Sequence, residues 1–425
     1  MRVLWVCNVV LPEFCEAFRI RRTVFGGWME GLLSRIRAQQ DCEIALAFPI
    51  RDAERRHDGI KDGVRYYAFD ASRDSQSQED ADCAAMLADF HRILRAFMPD
   101  VVHLWGTEYP HAWAVMEACC TLGMERRVVC HLQGLLSFHH MHFAMGLPES
   151  VVMAEDAYGH RIADDIQAFR RQSEREKAII RRAGFVAGRT FWDETCARVL
   201  SPDVAYRFCE EILREPFYDD RHRWQVRTCR RHTIFLSQAG YPIKGFHLVL
   251  PAIALLRHSY PDLLVYIGGG NPMQENKEGN RSSYGEYLKE QAEQLDVGDC
   301  LHFLGPLSAE EMREQYLRAH VFVSGSTIEN SSNSVAEAMM LGTPVVSSLV
   351  GGMATLITHG ETGLLYQADA PYMLAAYVRQ IFASDALAQR LSGQAQLVMR
   401  ERHEPDAVVQ QVLRIYEEAG REGSR

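Results

Sequence analysis

Two glutamates and one lysine carry the chemistry that this sequence offers most plainly: Glu329, Glu337 and Lys244. The glutamates lie in the run Ser326-Thr-Ile-Glu329-Asn-Ser-Ser-Asn-Ser-Val-Ala-Glu337, directly after the apolar stretch Val321–Ser324. Five small polar residues, Asn330–Ser334, open a helical pattern there. A helix start offers backbone N–H donors and the positive end of its dipole, which suits a phosphate group. Ser332, Asn333 and Ser334 are the residues placed to supply those donors. Glu329 falls on the loop before the helix, where a carboxylate has no obvious capping duty. Glu337 has a plainer explanation, because Ser334-Val-Ala-Glu337 reads as a capping box, S-x-x-E, which needs no ligand. Lys244 follows the strand pattern Thr233–Ser237 in Tyr241-Pro-Ile-Lys244-Gly245. A lysine beside a glycine at a strand's carboxyl end can reach a phosphate, although a solvated loop lysine explains a lone Lys-Gly pair more simply.

Weaker signals surround these. Gly26-Gly27 precedes a helical pattern, and paired glycines let backbone approach a bulky anion closely; alone the pair is usually a turn. Gly268-Gly269-Gly270 is not G-x-G-x-x-G and runs into a polar loop. His131, His139, His140 and His142 lack the spacing of a zinc site and are read as surface or supporting groups, so no metal is expected. Asp80-Ala81-Asp82 is a D-x-D, but acidic residues before a helix are expected without any metal. The run Arg19-Ile20-Arg21-Arg22, with Phe18, Phe25 and Trp28, suits an anionic membrane surface or a phosphate-bearing acceptor, and equally an ordinary solvated loop.

The elements that must position these groups follow a repeated scheme. Short apolar runs at Val3–Val6, Cys42–Phe48, Val101–Leu104 and Val128–Leu132 alternate with helical patterns such as Ala84–Phe97 and Ala112–Cys120. A second series runs Thr233–Ser237, Leu263–Ile267, Cys300–Leu304, Val321–Ser324 and Pro344–Ser347, again with helical stretches between. Such alternation predicts βαβ units and parallel sheets. The expected organisation is α/β. One Rossmann-like domain covers residues 1–218 and a second covers 232–405, with a polar linker over about 215–231. The amphipathic segment Asp406–Ala419, within 406–425, would pack back on the first domain. Two doubly wound sheets facing each other across a cleft would bring their ligand-binding strand ends together.

Composition bounds the function. The chain has 425 residues, 47% apolar and 24% charged, which is ordinary for a globular protein of two domains. No run is long and apolar enough to span a membrane, and no signal peptide is read at Met1-Arg2. Eleven unpatterned cysteines suggest reduced thiols and a cytoplasmic location. A net charge of −10 argues against broad nucleic-acid binding.

Taken in order, these pieces resemble glycosyltransferase family 4, retaining enzymes of the GT-B fold. The family's run is S-x-x-E-x7-E, A-x-x-x-G-x-P-V-V, G-G and G-x-T-G. This chain has Ser326-x-x-Glu329-x7-Glu337, Ala338-Met-Met-Leu-Gly342-Thr-Pro344-Val345-Val346, Gly351-Gly352 and Gly360-Glu-Thr362-Gly363. The resemblance implies a glycosyltransferase of the bacterial polysaccharide type. It would take a UDP- or GDP-linked sugar as donor substrate, with no other cofactor and no metal in the chemistry. The acceptor would be a glycan, a lipid-linked glycan or another hydroxyl, met at the cytoplasmic face of the membrane; the oligomeric state is left open. Under that resemblance Glu337 would bond the ribose, and Lys244, Gly26 and Gly27 would hold the diphosphate. The helix start at Ser332, Asn333 and Ser334 would add donors, Glu329 would face the sugar, and Phe303 and Leu304 would line the base.

Three departures stand out. Gln238-Ala239-Gly240 replaces the family's G-R-L, so its diphosphate-gripping arginine is absent. Gln133 occupies the place of a histidine near the sugar, with His131 two positions earlier, and Thr355 replaces a common glutamate. Bacterial members with runs like His103-Leu-Trp-Gly-Thr-Glu108, Gln133-Gly-Leu, Gly188-Arg189-Thr and Glu211-Ile-Leu-Arg214 share these changes. Glu108, Gln133, His131, Arg189 and Arg214 are therefore the expected substrate-side residues, with Arg189 or Arg214 supplying the missing positive charge. A non-catalytic protein of the same fold is the alternative, motivated by the same departures.

Overall fold

A computed structural model describes residues 1–21, 26–39, 42–72 and 83–422. Arg22 and Phe25 of the basic, aromatic run and the Asp80–Asp82 pair lie outside these residues. The chain forms two compact units. The first comprises Met1–His140, Ala168–Ile212 and His403–Arg425; the second comprises Met141–Gln167 and Leu213–Arg402.

Among the described residues, the first unit carries an eight-stranded sheet. Its strands are β1 (Arg2–Val6), β2 (Glu43–Ile50), β3 (Gly59–Lys61), β4 (Val64–Asp70), β5 (Val101–Trp105), β6 (Val128–His131), β7 (Phe185–Gly188) and β8 (Ala205–Phe208), in the order β3-β4-β2-β1-β5-β6-β7-β8. Only the β3–β4 pairing is antiparallel. Strands β1, β5 and β6 are buried along almost their whole length. That is why they read as continuous apolar runs, the mark of a sheet covered on both faces. The C-terminal helix Pro405–Glu422 belongs to this unit. It buries Val408, Val409, Val412, Ile415, Tyr416 and Ala419, and the Trp5 indole N–H donates to the Tyr416 hydroxyl at 2.8 Å.

The second unit carries a six-stranded parallel sheet among its described residues. Its strands are β9 (Thr233–Leu236), β10 (Leu264–Ile267), β11 (Leu301–Phe303), β12 (Val321–Ser324), β13 (Val345–Ser348) and β14 (Leu364–Tyr366), in the order β11-β10-β9-β12-β13-β14. Residues 215–231, with the polar composition of a linker, are packed onto this unit. Trp224 is 5% exposed, its amide donates to the Leu341 carbonyl at 2.8 Å, and its indole donates to the Ala319 carbonyl at 2.7 Å. Residues 141–167 also cluster here, where the His247 ring meets the Met145 carbonyl at 2.8 Å.

Strand order determines where ligands go. In the first unit the chain builds outward from β1 through β2, then returns to its other side at β5. In the second it builds from β9 through β10 and β11, then returns at β12. The crevice beyond the carboxyl ends of two such strands is the ligand-binding position of an open parallel sheet. In the first unit that position lies at the loops after β1 and β5; in the second unit, taken by itself, it lies at the loops after β9 and β12.

Candidate functional site

Lys244 and Glu329 are brought together at the switch point of the second unit. After β9 the chain makes a short 3-10 turn, Pro242–Lys244, and leaves it through Gly245 with φ of 65°. A Cβ on Gly245 would lie 1.9 Å from the Gly325 carbonyl oxygen, so only glycine allows the two loops to cross this closely. The Thr327 amide donates to the Ile243 carbonyl at 2.8 Å and ties the crossing. The Lys244 ammonium donates to Glu329 Oε1 at 2.7 Å, and the Ser326 hydroxyl donates to the same oxygen at 2.8 Å. On the far side, Gly351 (φ of 48°) lies against the Glu329 backbone. An added Cβ would sit 2.0 Å from the Glu329 carbonyl oxygen, which accepts from the Gly352 amide at 2.9 Å.

This pair is fixed but not sealed. Lys244 and Glu329 side chains keep 25% and 15% of their surface exposed. Burial works against the lysine's charge, but the Glu329 carboxylate outweighs it and holds the Lys244 ammonium well above the usual lysine range. Lys244 is therefore a permanent cation. A negatively charged ligand at the strand ends could draw it from Glu329 without any change of protonation.

Eight positions beyond Glu329, Glu337 lies inside the helix Asn333–Leu341 rather than at its cap. The capping box expected at Ser334–Glu337 is not formed. Ser332 is the N-cap, and its hydroxyl accepts from the Val335 amide at 3.5 Å. Starting the helix two residues earlier turns Glu337 inward, where its side chain is 4% exposed. There Arg214 grips both carboxylate oxygens, Nε to Oε1 and Nη2 to Oε2, each at 2.7 Å. The Tyr316 hydroxyl stands 3.4 Å from Oε2. Burial pushes the Glu337 carboxyl up, and Arg214 opposes it. Phe303 ends β11, and Leu304 follows it, its amide donating to the Ile267 carbonyl at 2.8 Å. Both are half-buried at the carboxyl edge of the sheet.

In the first unit, Gly26 caps the helix Gly27–Arg37 in a left-handed conformation, as the glycine pair predicts. The other expected residues gather beyond β5, β6 and β7. Glu108 Oε1 accepts from the Gly134 amide at 2.7 Å, while Oε2 is buried with no hydrogen-bond partner among the described residues. Burial, reinforced by the neighbouring Glu176 carboxylate, raises the Glu108 carboxyl to about 7. The Gln133 amide donates to Glu211 Oε1 at 2.7 Å, and Arg189 Nη1 donates to Glu211 Oε2 at 2.8 Å.

His131, read as a surface or a supporting group, is buried and so is not at the surface. It is 1% exposed and stacked on Trp105, with neither ring nitrogen bonded to a described residue; burial lowers it to about 4 and keeps it neutral. Neither arginine offered as a replacement charge is uncommitted, since Arg189 is 2% exposed on Glu211 and Arg214 is clamped on Glu337. Sequence reasoning also passed over two partners. Ser326 is visible as the first residue of S-x-x-E, but Tyr316 has no local signal because only the fold brings it to Glu337. Among the described residues, no group of three or more His, Cys, Asp or Glu side chains could hold a metal ion. No described helix is long and apolar enough to cross a membrane.

Known proteins resemble parts of this sequence and its fold. Residues 220–398 match the model of the family described as glycosyl transferases group 1. Over 145 residues the chain is 32% identical to a D-inositol 3-phosphate glycosyltransferase of Corynebacterium urealyticum, covering 34% of this chain and 33% of that protein. A protein of the same name from Salinispora tropica is 28% identical over 251 residues, covering 56% of this chain and 49% of that one. The chain thus spans about a third of the first of these relatives and half of the second. Among solved structures, a sucrose-phosphate synthase of Thermosynechococcus elongatus superposes with a TM-score of 0.68 at 16% identity, covering 98% of each chain. Anabaena Alr3699/HepE in complex with UDP and glucose gives 0.67 at 15% identity, covering 98% of this chain and 100% of that one. The fold is the two-domain GT-B fold.

Proposed function

We propose that this chain, whose residues 220–398 match the model of the glycosyl transferases group 1 family, is a retaining glycosyltransferase that uses a nucleotide sugar and needs no metal for its chemistry. One observation carries the reading: a permanent cation, an acid and a helix start converge at the switch point of the second unit.

When a glycosidic bond to a nucleoside diphosphate breaks, negative charge grows on the departing phosphate. Groups that stabilise it act mostly in the transition state and so accelerate the reaction. Lys244 is the cation for that charge, and the helix beginning at Asn333 adds its dipole. As Lys244 turns to the phosphate, Glu329 loses its neighbour's charge and becomes the carboxylate facing the sugar. Glu337 takes the ribose, and Phe303 and Leu304 line the base. The first unit's own substrate-facing surface is assigned to its carboxyl strand ends, with Gln133 and Glu108, and to the Gly26-Gly27 helix start. A UDP-linked hexose is the favoured donor, because the similar HepE structure holds UDP and glucose. The acceptor is a glycan or lipid-linked hydroxyl at the cytoplasmic side of the membrane.

The test is a panel of UDP- and GDP-sugars with acceptor extracts, with and without a chelator, following release of nucleoside diphosphate and the anomeric configuration of the product. Release that survives chelation and a retained anomer are expected. No release from any donor would instead favour a non-catalytic protein of this fold.

A further inference from the structure

The Arg214–Glu337 pair is not explained by the diphosphate chemistry. Arg214 comes from the segment that follows the first unit's last described strand, 123 positions before Glu337 in sequence. It is held in place independently of the glutamate. Pro216 sits in the short 3-10 turn Glu215–Phe217, the Arg214 guanidinium lies 5.0 Å from the Phe217 ring centre, and the Leu213 amide donates to the Tyr218 hydroxyl at 2.9 Å. The guanidinium meets the carboxylate side-on, through Nε and Nη2, in two parallel bonds, which fixes the plane of the acid as well as its position.

We infer that Arg214 is a positioning residue that keeps Glu337 ionised and its carboxylate oriented to accept the ribose hydroxyls of the nucleotide. The inference rests on the donor-site reading above. An ionised carboxylate has about four acceptor positions. Arg214 occupies two, and Tyr316 at 3.4 Å makes only a weak contact, so acceptor capacity remains for a diol. A protonated acid would have to give up part of that capacity to its own O–H. At the burial of Glu337, a carboxyl without a cation would take up a proton. The charged and titratable groups that bear on this pair are few. Tyr316 faces the carboxylate and is itself pushed up by burial and by Glu337, Ser334 stands by the tyrosine hydroxyl, and Glu310 acts on Arg214 from the helix Ala309–Arg318. Arg214 is the cation of this group.

A purely structural clamp would lower stability when broken and leave the pH dependence of nucleotide binding alone. UDP binding by calorimetry, measured for the wild type, R214Q, R214K and R214Q/E337Q, separates the two. The double variant reports the titration of the UDP phosphate itself. Between about pH 8 and about pH 6, R214Q should lose about tenfold more affinity than the double variant loses, whereas the wild type should follow the double variant within about twofold. R214K keeps the charge but not the two-point grip, so it should bind UDP about tenfold more weakly with the wild-type pH profile. Parallel profiles for R214Q and the wild type would overturn the inference, whatever happens to melting. If R214Q does not fold, R214K decides, and an affinity equal to the wild type's overturns it. Failure of the wild type to bind either UDP or GDP would instead overturn the donor-site reading itself, and this role with it.

Discussion

Two ion pairs, one in each unit, have similar lengths and opposite characters. Lys244–Glu329 in the second unit and Arg189–Glu211 in the first are 2.7 and 2.8 Å long. The first keeps 25% and 15% of its side chains exposed, whereas the second keeps 2% and 1%. Arg189–Glu211 is closed on itself, with Gln133 taking the other glutamate oxygen and the Arg189 amide bound to Asp193. An open pair can exchange partners, because the cation loses a carboxylate and gains a phosphate in the same polar surroundings. A sealed pair cannot, since parting its members strands a charge in a medium that solvates it poorly. Exposure, not distance, therefore marks the pair suited to chemistry.

This contrast can be broken from either side. The largest effect is expected from Arg189→Met, which leaves Glu211 buried without its cation and should cost about 3–5 kcal/mol of stability. Thermal or denaturant unfolding would show it, and UDP affinity of the folded fraction should change little. A variant that melts like the wild type but binds no UDP would move Arg189 back among the substrate residues. Lys244→Ala should do the reverse, lowering nucleoside diphosphate release by about 10²–10³-fold, as loss of a transition-state donor does. Its melting should shift less than that of Arg189→Met, because Lys244 and Glu329 keep 25% and 15% of their side chains exposed and a parted charge there still meets water.

Glu108 sharpens the contrast in a different way, as a buried acid with no cation beside it among the described residues. Its carboxyl is raised to about 7, so the folded state binds its proton more tightly than the unfolded chain does. That stabilising contribution is complete below the ordinary carboxylate range and is lost as pH rises through about 7. Glu108→Gln should accordingly melt higher than the wild type at about pH 8, by roughly 1–2 kcal/mol, with the difference shrinking toward about pH 5. A difference independent of pH would mean that Glu108 is solvated or paired. The smallest change is expected from Ser326→Ala, which removes one hydrogen bond to Glu329 Oε1. A loss of about 0.5–1.5 kcal/mol in transition-state stabilisation should appear as a modest fall in turnover.

The strands that lead to Lys244 and Glu329, β9 and β12, were legible because they are buried and read as apolar runs; the S-x-x-E run begins just after Val321–Ser324 ends. Edge elements were not. β3 buries none of its three residues and β8 only one of its four, so neither edge strand reads as an apolar run. The long helix Ile162–Arg182 was equally unanticipated. The text S-x-x-E at Ser334–Glu337 misled for a physical reason. Capping depends on where the backbone leaves the extended conformation, and that happens at Ser332.

By itself, then, the sequence determined the residue types, their order and the alternation of strand and helix, which are local properties of composition and period. It placed a lysine and a glutamate after two strands whose topology makes them neighbours. Only the tertiary structure decided the partners. The crossing of Gly245 against Gly325 brings Lys244 to Glu329 across 85 positions of chain. The packing of 213–218 brings Arg214 to Glu337 across 123. Burial of the first unit's strand ends turns His131 and Arg189 inward. Charge pairing and burial depend on distance in space, and a linear pattern holds no measure of that.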